Sequence, residues 1–141
     1  MTDVRRMQPG DDALVLGAPE LFDGPPTAEA TALFLSRDGH HLLMAFDGDR
    51  AVGFVSGVET THPDKGTEMF LYELAVAEDA RSRGVGRSLV AALADVAQER
   101  GCYGMWVLTD DDNPAAVRAY EAAGGRQEPL TRLIAWEWPV G

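Results

Sequence analysis

A glycine-containing turn at residues 81–86 is the part of this sequence best suited to chemistry. It follows an apolar stretch that ends at Val76, and an amphipathic stretch typical of a helix comes directly after it. Glycine allows the backbone to approach a ligand closely, and the first amides of a helix point outward without partners of their own. A diphosphate would satisfy those amides, and three arginines could neutralise it: Arg81, Arg83 and Arg87. The pattern predicts an anion-binding cradle between a strand and a helix.

Glu73 is the one charge deep in the apolar part of a strand predicted at residues 67–76. A carboxylate in such a strand is unfavourable unless it is paired or faces a cleft. In a cleft it could take a proton from an ammonium group, directly or through water, and partial burial would raise its pKa into a useful range. Two alternatives stay open, which are an anchor for a cationic substrate and a structural salt bridge.

An acidic run, Asp110, Asp111 and Asp112, lies at the C-terminal edge of another predicted strand. Such edges commonly contact ligands in α/β sheets. The run could bind the ammonium groups of a polyamine or an aminosugar, or it could serve only the turn and the dipole of the helix that follows Asn113. Glu137, near the C-terminus, is a further substrate-side candidate.

The composition indicates one folded domain spanning residues 1–141, with 45% hydrophobic and 25% charged residues. The net charge of −11 argues against nucleic acid or an anionic membrane as a partner. It would favour a cationic small substrate, and an acidic surface that serves only solubility explains the charge equally well.

Cysteine and histidine are sparse in this chain. Cys102 is the single cysteine, which excludes an internal disulfide and agrees with a reducing cytoplasm. The three histidines, His40, His41 and His62, lack metal-ligand spacing, so we expect no metal site. We also expect neither a signal peptide nor a membrane-spanning segment, because no apolar run is long enough.

Hydrophobic patterning predicts an α/β arrangement with a mixed, mostly antiparallel central sheet and helices on both faces. The predicted elements are, in order, a strand at 4–7, a helix at 28–37, a hairpin at 41–59, a loop at 60–66, a strand at 67–76, a helix at 86–100, a strand at 103–108, a helix from 114 to the glycines at 124 and 125, and a strand at 131–138. The two shorter helices have good N-caps in Thr27 and Asn113.

The glycine turn and its surroundings resemble the GNAT superfamily of acyl-CoA-dependent N-acetyltransferases. The family signature is Arg or Gln, two residues, Gly, one residue, then Gly or Ala, and residues 81–86 match it after a strand that ends in Leu74-Ala75-Val76. A second family element, an Asn shortly before a helix that carries a Tyr, corresponds to Asn113 and Tyr120. The two elements together cover about residues 68–125 in the order of the family.

The resemblance implies that acetyl-CoA is the cofactor, with its pyrophosphate on the amides of about residues 83–88 and its pantetheine arm along the strand before the turn. In the family a tyrosine at the place of Tyr120 protonates the departing sulfur, and Asn113 would contact the cofactor. Their simpler roles would be packing and helix capping. The expected cofactor-binding residues are Leu74, Ala75, Val76, Arg81, Arg83, Gly84, Val85, Gly86, Arg87, Ser88, Asn113 and Tyr120.

Within the superfamily the sequence is similar to the aminoglycoside 3-N-acetyltransferases, through the strand residues 72–76, the hairpin around Asp47 and the acidic run before the second family helix. The strand acid is often Asp in that group and is Glu73 here. The resemblance implies acetylation of a cationic small-molecule amine, with an aminoglycoside as the leading candidate. The alternatives are a protein or peptide amine, a polyamine, or a non-catalytic acyl-CoA-binding module.

The resemblance implies a catalytic role for Tyr120, and the position of Glu73 in its strand makes that residue the candidate base. The acceptor would meet Glu73, the acidic run and Glu137, and the segment at about residues 10–38 would build much of its site. A hydrophobic final strand with two tryptophans leaves a homodimer as an option.

Overall fold

A five-stranded sheet forms the centre of the structure, a computed structural model that describes residues 2–128 and 134–139. The strands of this sheet are β1 (Asp3–Arg6), β2 (His40–Asp47), β3 (Arg50–His62), β4 (Gly66–Val76) and β5 (Met105–Trp106). They lie side by side in chain order. The first four are antiparallel to their neighbours, and β5 is parallel to β4. The predicted mixed, mostly antiparallel sheet is therefore confirmed.

Four helices accompany the sheet in the described residues: α1 (Asp12–Leu16), α2 (Ala28–Ser36), α3 (Val85–Glu99) and α4 (Pro114–Ala122). Short 3₁₀ turns occupy Pro19–Leu21 and Glu78–Ala80. The predicted N-caps are confirmed, because the Thr27 hydroxyl accepts from the Ala30 amide at 3.1 Å and the Asn113 side chain accepts from the Ala116 amide at 3.2 Å.

Each face of the sheet packs its own hydrophobic core. Side chains alternate between the faces along a strand, so each strand supplies both cores. The core on the α3 side contains Leu43, Val55, Met69, Leu71, Leu89 and Leu93. The core on the opposite side contains Met44, Phe46 and Phe54 from the sheet, with Val15, Leu21 and Leu35 from α1, the first 3₁₀ turn and α2.

The hairpin between β3 and β4 is longer than its sequence pattern predicts. The predicted loop at residues 60–66 is wrong, because β3 continues to His62 and β4 begins at Gly66. Two cross-strand side-chain pairs, the hydroxyls of Thr61 and Thr67 and the pair His62–Glu68, accompany this extension.

The C-terminal third of the chain contains less strand than predicted. The buried strand expected at 103–108 is wrong. Only Met105 and Trp106 pair with β4, and Tyr103, Trp106 and Leu108 are exposed. The final strand expected at 131–138 is not found at residues 134–139, which are irregular and exposed, and residues 131–133 lie outside the described residues. A segment with alternating apolar residues forms a strand only when it pairs with a neighbouring strand, and residues 134–139 have no such pairing among the described residues.

None of the helices within residues 2–128 and 134–139 is long and apolar enough to cross a bilayer. The same part of the chain contains no group of three or more His, Cys, Asp or Glu side chains arranged to hold a metal ion.

Candidate active site

The turn between β4 and α3 has a backbone that only certain residues adopt readily. Gly84, the N-cap of α3, has φ +80°, in the left-handed region. Ser82 has φ +65°, which is unusual for a residue with a side chain. A Cβ added at Gly84 would meet no atom within 4 Å. Glycine is therefore favoured here by the backbone conformation and not by crowding around a side chain.

This turn presents a row of backbone amides without acceptors. Within the described part of the chain, no hydrogen bond has its donor at the backbone amides of residues 82–87. The amide of Ser88 donates to the carbonyl of Gly84 at 3.0 Å, so the free amides end at Arg87. The N-terminus of α3, with 15 residues behind it, adds a positive partial charge at this point. The geometry suits an anion.

The three arginines of the turn are exposed and keep their charges available. Arg81 donates through Nε to the Val76 carbonyl at 3.3 Å, and Arg83 donates through Nη2 to the Asp79 carbonyl at 2.7 Å. None of the three arginines forms an ion pair with any described residue. Since carbonyl acceptors leave the guanidinium charge uncompensated, these side chains can still neutralise a bound anion.

A salt bridge ties the turn to the β2–β3 hairpin. Both guanidinium nitrogens of Arg50 donate to the carboxylate of Asp79, at 2.9 Å and 2.7 Å. Asp79 is also the residue whose carbonyl Arg83 contacts. Asp79, at the start of the turn, is therefore held through both its carboxylate and its backbone carbonyl.

The outer edge of β4 is open next to the turn. On one side, Leu74, Ala75 and Val76 pair with β3. On the other side β4 pairs with β5 only at Met69 and Phe70. Beyond Phe70 the edge that faces β5 has no strand partner among the described residues. Such an edge can accept an extended ligand as an added strand.

A β-bulge in β4 determines which way Glu73 points. In the pairing with β3, Ser56 faces Glu73 and the next residue, Gly57, faces Leu71, so Tyr72 is an extra residue. Without this bulge, Glu73 would share a face with Met69 and Leu71, which lie in the α3-side core. The bulge places Glu73 opposite Ser56, on the sheet face covered by α1 and α2.

Burial raises the pKa of the Glu73 carboxyl, and the nearby charge of Asp23 raises it further. Asp23 follows the first 3₁₀ turn, directly after Phe22, whose ring stacks on Phe54 with centroids 4.4 Å apart. Sequence reasoning missed Asp23, although it assigned residues 10–38 to the acceptor site. An aromatic residue next to an acid was the only available signal.

Tyr120 comes from α4, which packs against the first turn of α3. A Cβ added at Gly86 would lie 3.5 Å from Ala119 Cβ, 3.7 Å from Val76 Cγ2 and 3.8 Å from Leu74 Cδ2. The end of β4, the start of α3 and α4 therefore meet at Gly86. Tyr120 is half-buried against the α3-side core, and burial raises the pKa of its phenol.

The acidic run and Glu137 are not brought to Glu73. Asp110, Asp111 and Asp112 are exposed in the turn before α4. The Asp110 carbonyl accepts from the Asn113 amide at 3.2 Å, which is a turn contact. Glu137 is exposed within residues 134–139. Among the described residues no hydrogen bond or ion pair joins any of these four side chains to Glu73.

Two relatives resemble this chain over part of their length. It is 32% identical over 89 residues to the L-2,4-diaminobutyric acid acetyltransferase of Nocardia farcinica, covering 63% of this chain and 45% of that protein. It is 31% identical over 82 residues to N-alpha-acetyltransferase 30 of Schizosaccharomyces pombe, covering 58% of this chain and 55% of that protein. The matches thus span about half the length of these relatives.

Solved structures share the whole fold. An aminoglycoside acetyltransferase from an uncultured soil metagenomic sample aligns with a TM-score of 0.80 at 24% identity, over 100% of this chain and 99% of that one. An aminoglycoside N-acetyltransferase solved with coenzyme A aligns with a TM-score of 0.78 at 23% identity, over 98% and 95% of the two chains. At these identities the likeness concerns the fold.

The model of the Acetyltransferase (GNAT) family matches residues 12–124. This range includes the three central strands, the glycine turn with its free amides, and both helices that meet at Gly86. The chain belongs to the acetyltransferase (GNAT) family.

Proposed function

We propose that this chain is an N-acetyltransferase that transfers an acetyl group from acetyl-CoA to the amine of a cationic small molecule. The observation that carries the proposal is the row of free amides at residues 82–87 beside the open edge of β4. Members of the GNAT family use acetyl-CoA, and both features of this turn suit that cofactor.

The residues of the turn and of β4 would hold two parts of the cofactor. The amides of residues 82–87 and the charges of Arg81, Arg83 and Arg87 would hold its pyrophosphate. The backbone of residues 74–76 would hold the pantetheine arm as an added strand. When bound, acetyl-CoA supplies an acetyl group activated as a thioester.

Glu73 and Tyr120 have protonation states suited to acid–base chemistry. The carboxylate oxygens of Glu73 can take a proton from an ammonium group, and the raised pKa of Glu73 makes it a better base than an exposed glutamate. Tyr120 keeps the proton on its phenol oxygen at neutral pH, since burial raises its pKa, and so can act as an acid.

An aminoglycoside acetylated at its 3-amino group is the acceptor we favour. The net charge of −11 would attract a polycationic amine, and Glu73 with Asp23 would place two carboxylates near its reacting end. The similarity of fold to aminoglycoside acetyltransferases supports the substrate class alone, since one of these neighbours is of the 6'-N type, and the 3-amino position rests on the sequence resemblance. The names of the relatives also include an amino-acid and a protein N-terminal acetyltransferase, so the test must include those amine classes.

The decisive experiment measures release of free thiol from acetyl-CoA with a panel of amines, followed by mass spectrometry and NMR of the product. The panel holds kanamycin- and gentamicin-type aminosugars, polyamines, 2,4-diaminobutyrate and short peptides. We expect the fastest turnover with an aminosugar and a product acetylated at the 3-amino group.

Gly84→Asp tests the role of the glycine turn in cofactor binding. It puts a side chain and a negative charge at a left-handed position next to the free amides. We expect it to remain folded and to lose the rise in melting temperature that coenzyme A gives the wild type. Unchanged affinity for coenzyme A would contradict the cradle, and turnover of peptides alone would contradict the choice of acceptor.

A further inference from the structure

A cavity lies at the end of the sheet opposite the glycine turn. It has a volume of about 400 Å³ and is lined by the end of β1 with the following residues, the C-terminus of α2 and the first residue of β2. That volume is within the range of small-ligand sites. The cavity borders His40, whereas Val76 aligns through Gly53 with Ala45, five residues further along β2. The two sites are thus about 17 Å apart along the strand.

The lining of this cavity is basic, although the protein as a whole is strongly acidic. Arg6, Arg37 and His40 lie in its wall. Arg37 forms no side-chain hydrogen bond or ion pair with any described residue, and Arg6 uses one nitrogen, Nη2, to contact His41 Nδ1 at 2.8 Å. Asp38 is the one acid in the wall, and Arg100 neutralises it at 3.1 Å.

His40 has an unsatisfied ring nitrogen at the same place. Its Nδ1 is buried and lacks a hydrogen-bond partner among the described residues. The ring is held edge-on against Phe34, with centroids 5.3 Å apart. Buried polar atoms are rarely left unpaired, because losing water without gaining a partner is unfavourable. His40 also lines the cavity, so a turn of its ring would bring this nitrogen to a ligand there.

The C-terminus of α2 would oppose an anion here, because helix carbonyls carry negative partial charge. Two of those carbonyls are already used. Leu33 accepts from the Ser36 hydroxyl at 2.7 Å, and Phe34 accepts from the Arg37 amide at 3.2 Å. The two guanidinium groups therefore dominate the charge in the cavity.

We propose that this cavity is a second ligand site that binds a small oxyanion, a carboxylate or phosphate group. Arg37 and Arg6 hold its oxygens through their guanidinium forks, and the His40 ring turns so that its Nδ1–H donates to it. The site is separate from the acetyl-transfer site and does not depend on its function.

The test is a residue-resolved NMR titration of the full chain with inorganic phosphate, with succinate and with sodium chloride at equal ionic strength. We expect saturable shifts at the Gly39 and His40 amides and at the His40 ring nitrogen, caused by phosphate or succinate and not by chloride. The anion that binds more tightly, phosphate or succinate, identifies the group that the cavity prefers. Shifts at residues 85–87 report the glycine turn and are scored separately.

Arg37→Gln should weaken binding at the cavity by about tenfold, and His40→Phe should do so while keeping the ring contact with Phe34. Arg126→Gln removes the same charge from an exposed position paired with Glu128 and should leave the affinity unchanged. The proposal fails if the Gly39 and His40 amides do not move, if chloride reproduces the shifts, or if both cavity variants bind like the wild type.

Discussion

At the scale of single residues, burial acts on Glu73 and Tyr120 in the same direction with opposite chemical consequences. It raises the pKa of both groups. A raised pKa makes a carboxylate a stronger base and keeps a phenol protonated as an acid. The two groups lie on different faces of the sheet, Glu73 on the α1 and α2 side and Tyr120 against the α3-side core, and burial favours a base at the first and an acid at the second.

Glu73→Gln tests the role of the carboxylate as a base. In the wild type, kcat/KM should rise with pH through a pKa above the ordinary value of a glutamate, since only the ionised form accepts a proton. In the variant this acidic limb should disappear and kcat should fall about 10²–10⁴-fold. The measurement is a pH–rate profile for both proteins.

Glu99→Gln, an exposed acid in the last turn of α3, is the matched control and should behave like the wild type. Glu73→Gln should melt no lower than the wild type at neutral pH. Because folding raises the pKa of Glu73, its ionised form opposes folding above that pKa. An unaltered pH profile with a higher KM for the amine would leave Glu73 only an anchoring role.

Tyr120→Phe tests the role of the phenol as an acid. Its hydroxyl makes no hydrogen bond to a described residue, so its removal should leave the fold intact. We expect kcat to fall about 10²-fold or more with little change in KM for acetyl-CoA. Steady-state kinetics measure both values.

Tyr103→Phe is the control, since that hydroxyl donates to Glu68 at 2.8 Å in a cluster with His62 near the β3–β4 hairpin. It should not alter kcat. A wild-type rate for Tyr120→Phe would mean that water or another group supplies the proton.

At the scale of elements, close contacts at glycines bring β3, β4 and α3 together. A Cβ at Gly53 would lie 2.8 Å from the Ala75 carbonyl oxygen, which is backbone and cannot rotate away. A Cβ at Gly57 would lie 2.9 Å from Leu93 Cδ2 and from Met69 Sδ, which belong to side chains rather than to the backbone. The three elements are therefore packed most rigidly at Gly53, beside the open edge of β4.

Gly53→Ala should lower the free energy of unfolding by about 1–3 kcal/mol, because β3 and β4 must separate. Gly57→Ala should cost less, since small shifts of the Leu93 and Met69 side chains can relieve the contact without moving backbone. Gly86→Ala meets only ordinary contacts at 3.5 Å or more and replaces glycine in a helix, so it should be neutral or stabilising by up to about 1 kcal/mol. Urea denaturation of the three variants measures their free energies of unfolding. Equal losses of stability would contradict the argument from these contacts.

Elements set by local chemistry were predictable from the sequence. Thr27 and Asn113 mark helix starts because their side chains accept from amides three residues on, and the strand, glycine turn and α3 follow from periodicity. The bulge at Tyr72 was not predictable, because it depends on the pairing with Ser56 and Gly57 from another strand.

Other features of the site also depend on tertiary contacts. Asp23 affects Glu73 because the chain folds Phe22 onto Phe54, a contact between distant parts of the sequence. The predicted strand at 103–108 was overestimated, because its apolar residues were read as buried although the sheet pairs with only two of them. Roles for Glu73, Tyr120 and the cofactor-binding residues stay predictions until the variants are measured.

At the scale of the whole molecule, a hydrogen-bonded chain links four elements on the side away from the glycine turn. Arg6 Nη2 donates to Nδ1 of the buried His41, so the ring proton is on Nε2, which donates to Glu59 at 2.6 Å. Arg100, at the end of α3, also donates to Glu59, at 2.7 Å. The chain joins β1, β2, β3 and α3.

This chain should make stability depend on pH. Burial lowers the pKa of His41, so below about pH 6.5 the unfolded protein binds a proton that the folded protein resists. Burial of Glu59 acts to raise its pKa, but hydrogen bonds from His41 and Arg100 lower it overall. Both groups therefore contribute stability that is lost as the pH falls.

His41→Gln should lower the melting temperature at neutral pH and flatten its fall between about pH 7 and pH 5, because glutamine does not titrate. Circular dichroism melts across that range provide the measurement. His62→Gln, at a more exposed histidine paired with Glu68, is the control and should keep the wild-type slope. A variant at His41 with an unchanged slope would assign the pH dependence to other groups.

The extra residue at Tyr72 separates two duties of one strand. Before Tyr72, β4 supplies Met69 and Leu71 to the hydrophobic core under α3. After it, the strand presents the carboxylate of Glu73 on the opposite face. Deleting Tyr72 would turn Glu73 toward the leucines of α3 and remove its carboxylate from the face on which Asp23 lies. While the extra residue is kept, the side chain at position 73 stays apart from the packing of Met69 and Leu71 under α3.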